Sequence, residues 1–215
     1  GELAKTFTNF ARLVQFNLSN YLGSLCYAND INDKKIFNSL KQGYPRLNFL
    51  SEIGPGVGGF CLPKDSLVLH DAFTNVENKL PSNLYGFPKD QYDLNQNIIS
   101  HHFEIVRELT SESKKVLALG VAFKGTPPTD DTRDSTGLTI VKRLLNENID
   151  LEVYDRTVSE NDRNNLGLPK SIIGDENVVY DTLLILNNDP KYKDFVKKHM
   201  KNFNNKIKLY DPWRI

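Results

Sequence analysis

The apolar positions of this chain change their period part-way along it. From residue 2 to residue 29, Leu3, Phe7, Phe10, Val14, Leu18, Tyr21 and Leu25 recur at three- and four-residue steps, which predicts one long helix with a single apolar stripe. Lys5 and Asn9 lie four apart and share a face beside that stripe. A second helix is expected over 33–42, with Asn32 as its N-cap and Gly43 just past its end. Residues 43–62 are too rich in glycine and proline for helix or strand. A helix opening at Pro63 and running to about Val76, a loop over 77–90 and a helix over 91–111 follow, the last with Leu94, Ile98, Ile99, Phe103, Val106 and Leu109 inward. At Lys115 the pattern shortens. Residues 116–121 read as a buried parallel strand, then come a loop (124–134), a helix (135–147), a strand (151–154), an irregular segment, a strand (182–187), a helix (190–201) and a strand (206–210). That alternation predicts a doubly wound parallel sheet. Two modules result, a helical one over 1–112 and an α/β one over 113–215.

Composition narrows the function classes. Hydrophobic residues make up 39% of the 215 and charged residues 25%, which excludes a disordered chain. The 27 Lys and Arg balance 27 Asp and Glu, so no basic excess exists to drive binding to nucleic acid or a membrane surface. No apolar run approaches the roughly 20 residues of a membrane span. Cys26 and Cys61 are too few for a disulfide framework or, without other ligands, a zinc site, and a reducing cytoplasmic setting is expected. The first residues do not resemble a signal peptide. They open directly into helical periodicity without an initiator Met, as if cut from something longer.

The densest local signal is Gly54-x-Gly56-x-Gly58-Gly59-x-Cys61-Leu62-Pro63-Lys64-Asp65. Glycines admit positive φ and let a ligand approach the backbone. A thiol between such a loop and a helix start sits in the N-terminal field of the helix, which favours the nucleophilic thiolate. Asp65, four residues on, falls within the first turn and within reach of the same place. No strand precedes the loop, so it is not a dinucleotide fingerprint. The plain alternative is a glycine-rich turn around an inert cysteine, and Cys26, on the apolar side of its helix, keeps that plain reading. Lys64 reads as a solvated or locally ion-paired lysine. His70, His101, His102 and His199 have no ligand partners at useful spacing, and solvated side chains are expected for the His101-His102 pair.

These residues resemble the UDP-glucose/GDP-mannose dehydrogenase family. The glycine–cysteine segment is similar to its nucleophile loop. Glu2-Leu3-Ala4-Lys5-x-x-x-Asn9 resembles the opening of its central dimerisation helix. Val121-Ala122-Phe123-Lys124 with Asp130-Asp131-x-Arg133-Asp134-Ser135 resembles the start of its UDP-binding domain, and Tyr210-Asp211-Pro212-Trp213 its closing strand. The resemblance implies an α/β fold class: a helical dimerisation domain followed by a Rossmann-like doubly wound parallel-sheet UDP-binding domain. It also implies an NAD-dependent 6-dehydrogenase. Such an enzyme oxidises the C6 alcohol of a UDP-sugar, UDP-glucose or a UDP-N-acetylhexosamine, to the uronate through a cysteine thiohemiacetal and thioester. The family's N-terminal Rossmann domain, which holds NAD, is not among these residues, so they alone are expected not to turn over.

By the resemblance, Cys61 is the nucleophile, Lys5 and Asn9 stabilise the oxyanion at C6, and Asp65 activates water or accepts a proton. Lys124, at the carboxyl end of the first strand, would meet the diphosphate, with Gly58, Phe49, Leu50 and Arg46 on the substrate side and Arg133 toward cofactor or substrate. A homodimer through the first helix is expected, since its stripe needs a cover. For Lys5 and Asn9 the plain alternative is a solvated helix edge, and for Asp130 to Asp134 a self-neutralising surface loop. Two other functions fit less of the chain: a non-catalytic dimeric module that binds a UDP-sugar, and an unrelated thiol enzyme pairing Cys61 with His70.

Overall fold

The computed structural model describes residues 1–73, 79–175 and 177–214. The expected helix end near Val76, and Glu77 and Asn78 of the expected loop, lie outside them. Two compact units divide between Ser100 and His101.

In the first unit, α1 (Glu2–Ala28) is the long helix that the periodicity predicts. Its buried residues are Asn9, Leu13, Asn17, Ser19, Asn20, Gly23 and Cys26. Most of the apolar stripe lies toward the other side: Leu3, Phe7, Leu18, Tyr21 and Leu25 are exposed, while Phe10 and Val14 are half-buried. Helix α2 (Asp33–Lys41) is capped by Asn32, whose side chain accepts from the Lys35 N–H at 3.0 Å. Gly43, at φ +72°, turns the chain out of it. A 3₁₀ turn at Pro45–Leu47 leads to the glycine segment, and α3 (Leu62–Ala72) follows with Pro63 in its first turn.

The expected loop up to residue 90 instead contains α4 (Ser82–Tyr85) and the start of α5 (Phe87–Thr110). Pro81 and Pro88 stand at helix openings, where a missing N–H costs nothing. Phe10 of α1 meets Phe87 edge-on, with ring centroids 5.6 Å apart. Leu13, Leu69, Ile98 and Ile99 are buried in this unit.

The second unit is built on four parallel strands, β1 (Val116–Leu119), β2 (Leu151–Tyr154), β3 (Tyr180–Ile185) and β4 (Phe203–Tyr210), in the order β2-β1-β3-β4. Between them lie α6 (Thr136–Asn146), α7 (Glu160–Asn165) and α8 (Lys191–Lys198). Helix α7 falls inside the segment read as irregular. Its start is encoded by Ser159, whose hydroxyl accepts from the Asp162 N–H at 3.1 Å. All four residues of β1 are fully buried, as expected of a central parallel strand. The chain leaves β1 toward β2 on one side and β3 on the other, so the switch point lies between the carboxyl ends of β1 and β3.

The expectation of a solvated histidine pair is corrected at His102. It is buried and shares a 2.9 Å hydrogen bond with Tyr210, because the helical phase that buries Phe103 and Val106 carries it inward too. Among the described residues no helix is long and apolar enough to cross a membrane, and no group of residues could hold a metal ion.

Candidate functional site

Two helices of the first unit converge on Asp65. The residue lies in the first turn of α3, and its N–H donates to the Cys61 carbonyl at 2.9 Å. The residue is 6% exposed, and its carboxylate is held from two sides. Asn9 of α1 donates from Nδ2 to Oδ2 at 2.7 Å, and Lys64 donates from Nζ to Oδ1 at 2.6 Å. Lys5, one turn before Asn9, adds a further positive charge felt by this carboxylate. Burial pushes the Asp65 carboxyl up, but the Lys64 and Asn9 hydrogen bonds and the charges of Lys64 and Lys5 outweigh it, and its pKa is lowered. Asp65 is therefore a carboxylate at neutral pH, an acceptor and not an acid.

Cys61 occupies the N-cap position of α3 and is exposed. Lys64 is not simply solvated: its ammonium pairs with Asp65 and lies 5.3 Å from the Phe60 ring centroid. Its pKa is raised, chiefly by the hydrogen bond to Asp65. One amide N–H of Asn9 is used on Asp65, which leaves the second for another acceptor.

The glycine segment that delivers Cys61 is fastened to helices by buried amides. Asn20 of α1 accepts from the Gly54 N–H at 2.8 Å. Asn95 of α5 accepts from the Val57 N–H at 2.8 Å and donates to the Val57 carbonyl at 2.9 Å. Gly56, at φ +102°, presses so close to Ile99 that a Cβ there would lie 2.5 Å from its Cγ1. Only glycine fits that contact.

The substrate-side candidates differ in what they present. Gly58 is half-buried within the loop, and Arg46 is exposed on the 3₁₀ turn. Phe49 exposes its ring while its carbonyl accepts from the Gln15 amide. Leu50 is 4% exposed, so its side chain belongs to the core and only its backbone could meet a ligand. His70 is spent on Tyr85, with Nδ1 3.2 Å from the carbonyl and the rings stacked. Nine residues of helix separate it from Cys61, about 13 Å along the axis. The Cys61–His70 pairing is thus not built.

In the second unit, Lys124 follows β1 at the switch-point end of the sheet, with its ammonium 5.1 Å from the Phe123 ring centroid. Arg133 is held within its own loop: Nε and Nη2 donate to the Asp131 carboxylate at 3.0 and 2.7 Å. The glycine segment of the first unit follows a 3₁₀ turn instead of a strand, so it is not built as a dinucleotide fingerprint.

Sequence reasoning passed over the polar residues that shape this end of the sheet. Asp155, after β2, accepts from the N–H groups of Val121, Ala122, Thr157 and Val158 at 2.7–3.0 Å. Asn188, after β3, accepts from the N–H groups of Gly125 and Thr126 at 2.8 and 3.1 Å, and Arg156 pairs with buried Asp189 at 2.7 Å. Asp155 directly after β2, and Asn187-Asn188-Asp189 just past β3, are the signal that could have pointed to them.

Residues 1–84 match the UDP-glucose/GDP-mannose dehydrogenase family, central domain, and residues 117–215 match the same family's UDP binding domain. The chain belongs to this family. It is 26% identical over 208 residues to the UDP-N-acetyl-D-mannosamine dehydrogenase of Methanocaldococcus jannaschii, covering 96% of this chain and 44% of that protein. It is 30% identical over 169 residues to the UDP-glucose 6-dehydrogenase of Rickettsia felis, covering 77% and 36%. The fold is similar to that of a UDP-glucose dehydrogenase from Pyrobaculum islandicum, with a TM-score of 0.73 at 21% identity over 99% of this chain and 50% of that one. The chain thus spans about half the length, or less, of these relatives. The family's central-domain match contains Lys5, Asn9, Cys61 and Asp65, and its UDP-binding match contains Lys124 and Arg133.

Proposed function

We propose that these residues are the central and UDP-binding parts of an NAD-dependent nucleotide-sugar 6-dehydrogenase. The substrate is a UDP-sugar, UDP-glucose or a UDP-N-acetylhexosamine, oxidised at C6 to the acid. The single observation that supports the chemistry is the Asn9–Asp65–Lys64 cluster at the helix start that bears exposed Cys61. NAD supplies the hydride acceptor, and residues outside this chain hold it.

Cys61 adds through Sγ to the C6 aldehyde, forming a C–S bond and an alkoxide. Lys5 and the free amide N–H of Asn9 receive that oxygen, whose negative charge grows as the bond forms. After loss of the second hydride the carbon is a thioester. Asp65, ionised and fixed by its two donors, orients the water that releases the acid and returns the thiolate. Lys124 neutralises the diphosphate at the switch-point end of the sheet. The protein works in the cytoplasm as a homodimer that pairs through the exposed stripe of α1.

Replacing Cys61 by Ala in the complete enzyme is expected to abolish acid formation while UDP still binds. Acid made at the unsubstituted rate would overturn the cysteine route. Calorimetry of the 215 residues with UDP is expected to show binding that Lys124→Ala weakens; an unchanged isotherm in the variant would remove Lys124 from the site.

A further inference from the structure

We infer that Asn95 is a positioning residue for the Cys61 thiol, acting through the backbone of Val57. The inference rests on the nucleophile reading above. The segment from Gly54 to Asp65 has no ladder of its own before α3 begins, so its shape must be imposed from outside. It is held at three points. Asn20 of α1 takes the Gly54 N–H at one end, and Asn9 of the same helix takes the Asp65 carboxylate at the other. Asn95 grips the middle, using its oxygen on the Val57 N–H and its NH₂ on the Val57 carbonyl.

This last contact copies the two-point pairing of one strand with another, but from a side chain that is 0% exposed. A buried amide so used has one arrangement, since turning it over would set donor against donor. Gly56 lets the neighbouring backbone sink against Ile99, on the same helix one turn from Asn95. Helix α5 therefore sets where Val57 lies, and four residues later the chain delivers Cys61 to the N-cap of α3. Asn95 touches neither substrate nor sulfur in this scheme. Its work is to keep the thiol at one height against the Asn9–Asp65 pair.

The test is the alkylation of Cys61 by iodoacetamide in the 215-residue chain, resolved by site with mass spectrometry from mildly acid to alkaline pH. Buried Cys26 serves as the internal reference for folding. Asn95→Leu removes both hydrogen bonds at similar volume, and Asn95→Asp keeps the acceptor and loses the donor. Amide exchange of the Val57 to Cys61 stretch is expected to rise about tenfold or more in Asn95→Leu. The Cys61 rate or its pH profile is expected to move about threefold or more, with Asn95→Asp between the two proteins. Should Asn95→Leu expose Cys26, and so fail to fold, Asn95→Asp against the unsubstituted chain carries the comparison. Faster exchange with a Cys61 rate and pH profile unchanged would overturn the inference, leaving Asn95 a loop fastener only. A complete enzyme with Cys61→Ala that still makes acid would sink the nucleophile reading instead, and the alkylation result would be untouched by it.

Discussion

Acidification is expected to weaken the second unit in part through His102, whose contribution a substitution isolates. Its ring is 8% exposed and bonded to Tyr210, and burial first, then the charge of neighbouring His101, lowers its pKa from 6.5 to about 4. A folded pKa below the unfolded one means that the unfolded chain binds the proton first. Stability from this group is therefore complete above pH 6.5 and declines as the pH falls from 6.5 toward 4. At 1.36 kcal/mol per pKa unit, the whole loss across that window is about 3 kcal/mol. The assay is urea unfolding followed by the fluorescence of Trp213, the single tryptophan, which packs in the same unit. His102→Phe keeps a ring in place and removes the proton site. At neutral pH the variant is expected to be less stable by about 0.5–1.5 kcal/mol, because the hydrogen bond between His102 and the Tyr210 hydroxyl is lost. Carboxylates titrate alike in both proteins, so the gap between their stabilities is expected to close as the pH drops through the window. A gap that stays constant from pH 7 to about 4 would refute the reasoning.

Gly56→Ala puts a Cβ 2.5 Å from Ile99 at φ +102°, and a loss of about 2 kcal/mol or more in urea unfolding of the first unit is expected. Gly125→Ala places its Cβ 2.2 Å from the Asp189 nitrogen and must push the β1 loop off Asn188; calorimetry is expected to show weakened UDP binding with little change in far-ultraviolet dichroism. Asp65→Asn removes a carboxylate whose lowered pKa stabilises the fold above its ordinary value of 3.8, so the variant is expected to be less stable at neutral pH. The difference should vanish only as the pH falls below that value, and a difference already gone at pH 5 would contradict the assignment.

The long helix, the parallel strands and the cysteine loop were legible because each rests on local rules: a 3.6 period, an apolar run between breakers, glycines where no Cβ fits. Asn32 and Gly43 marked their helix ends for the same reason. What was not legible depends on distant pairing. Asn95 and Asn20 look like polar interruptions of helices until the loop they grip is in place. His102 shares its helical phase with Phe103 and Val106, and only the arrival of Tyr210, 108 residues later, makes burying it tolerable. The segment before β3 read as irregular because α7 has six residues and no apolar face, yet Ser159 with Asp162 carried a capping signal. Within the candidate site, Asp65 was placed by its spacing from Cys61. Its restraint by both Lys64 and Asn9 required the crossing of α1 with α3.

Helix α1 is turned inside out relative to an ordinary surface helix, and this bears on assembly. Its buried residues Asn9, Asn17, Ser19 and Asn20 would each cost free energy if left unpaired. Each is instead bonded to another segment of the unit: to Asp65, Gln91, Ser51 and Gly54 respectively. That face packs through Leu13 and Cys26 and is held in register by these polar bonds. The apolar residues that a helix normally uses for burial stand 40–53% exposed at Leu3, Phe7, Leu18, Tyr21 and Leu25. Covering a side chain of this size fully is worth about 1.5–3 kcal/mol, so covering the exposed half of five from each of two copies yields roughly 7–15 kcal/mol gross. Association itself costs about 4–15 kcal/mol, so the proposed dimer is expected to have modest affinity and to depend on every one of these contacts. Light scattering is expected to give a mass near twice 24.5 kDa at high concentration, falling on dilution. Leu18→Glu with Leu25→Glu places two carboxylates from each copy in the covered stripe and is expected to yield monomer with α1 still helical. A chain that stays monomeric at high concentration would refute the pairing through α1, and a double variant that still dimerises would move the interface elsewhere.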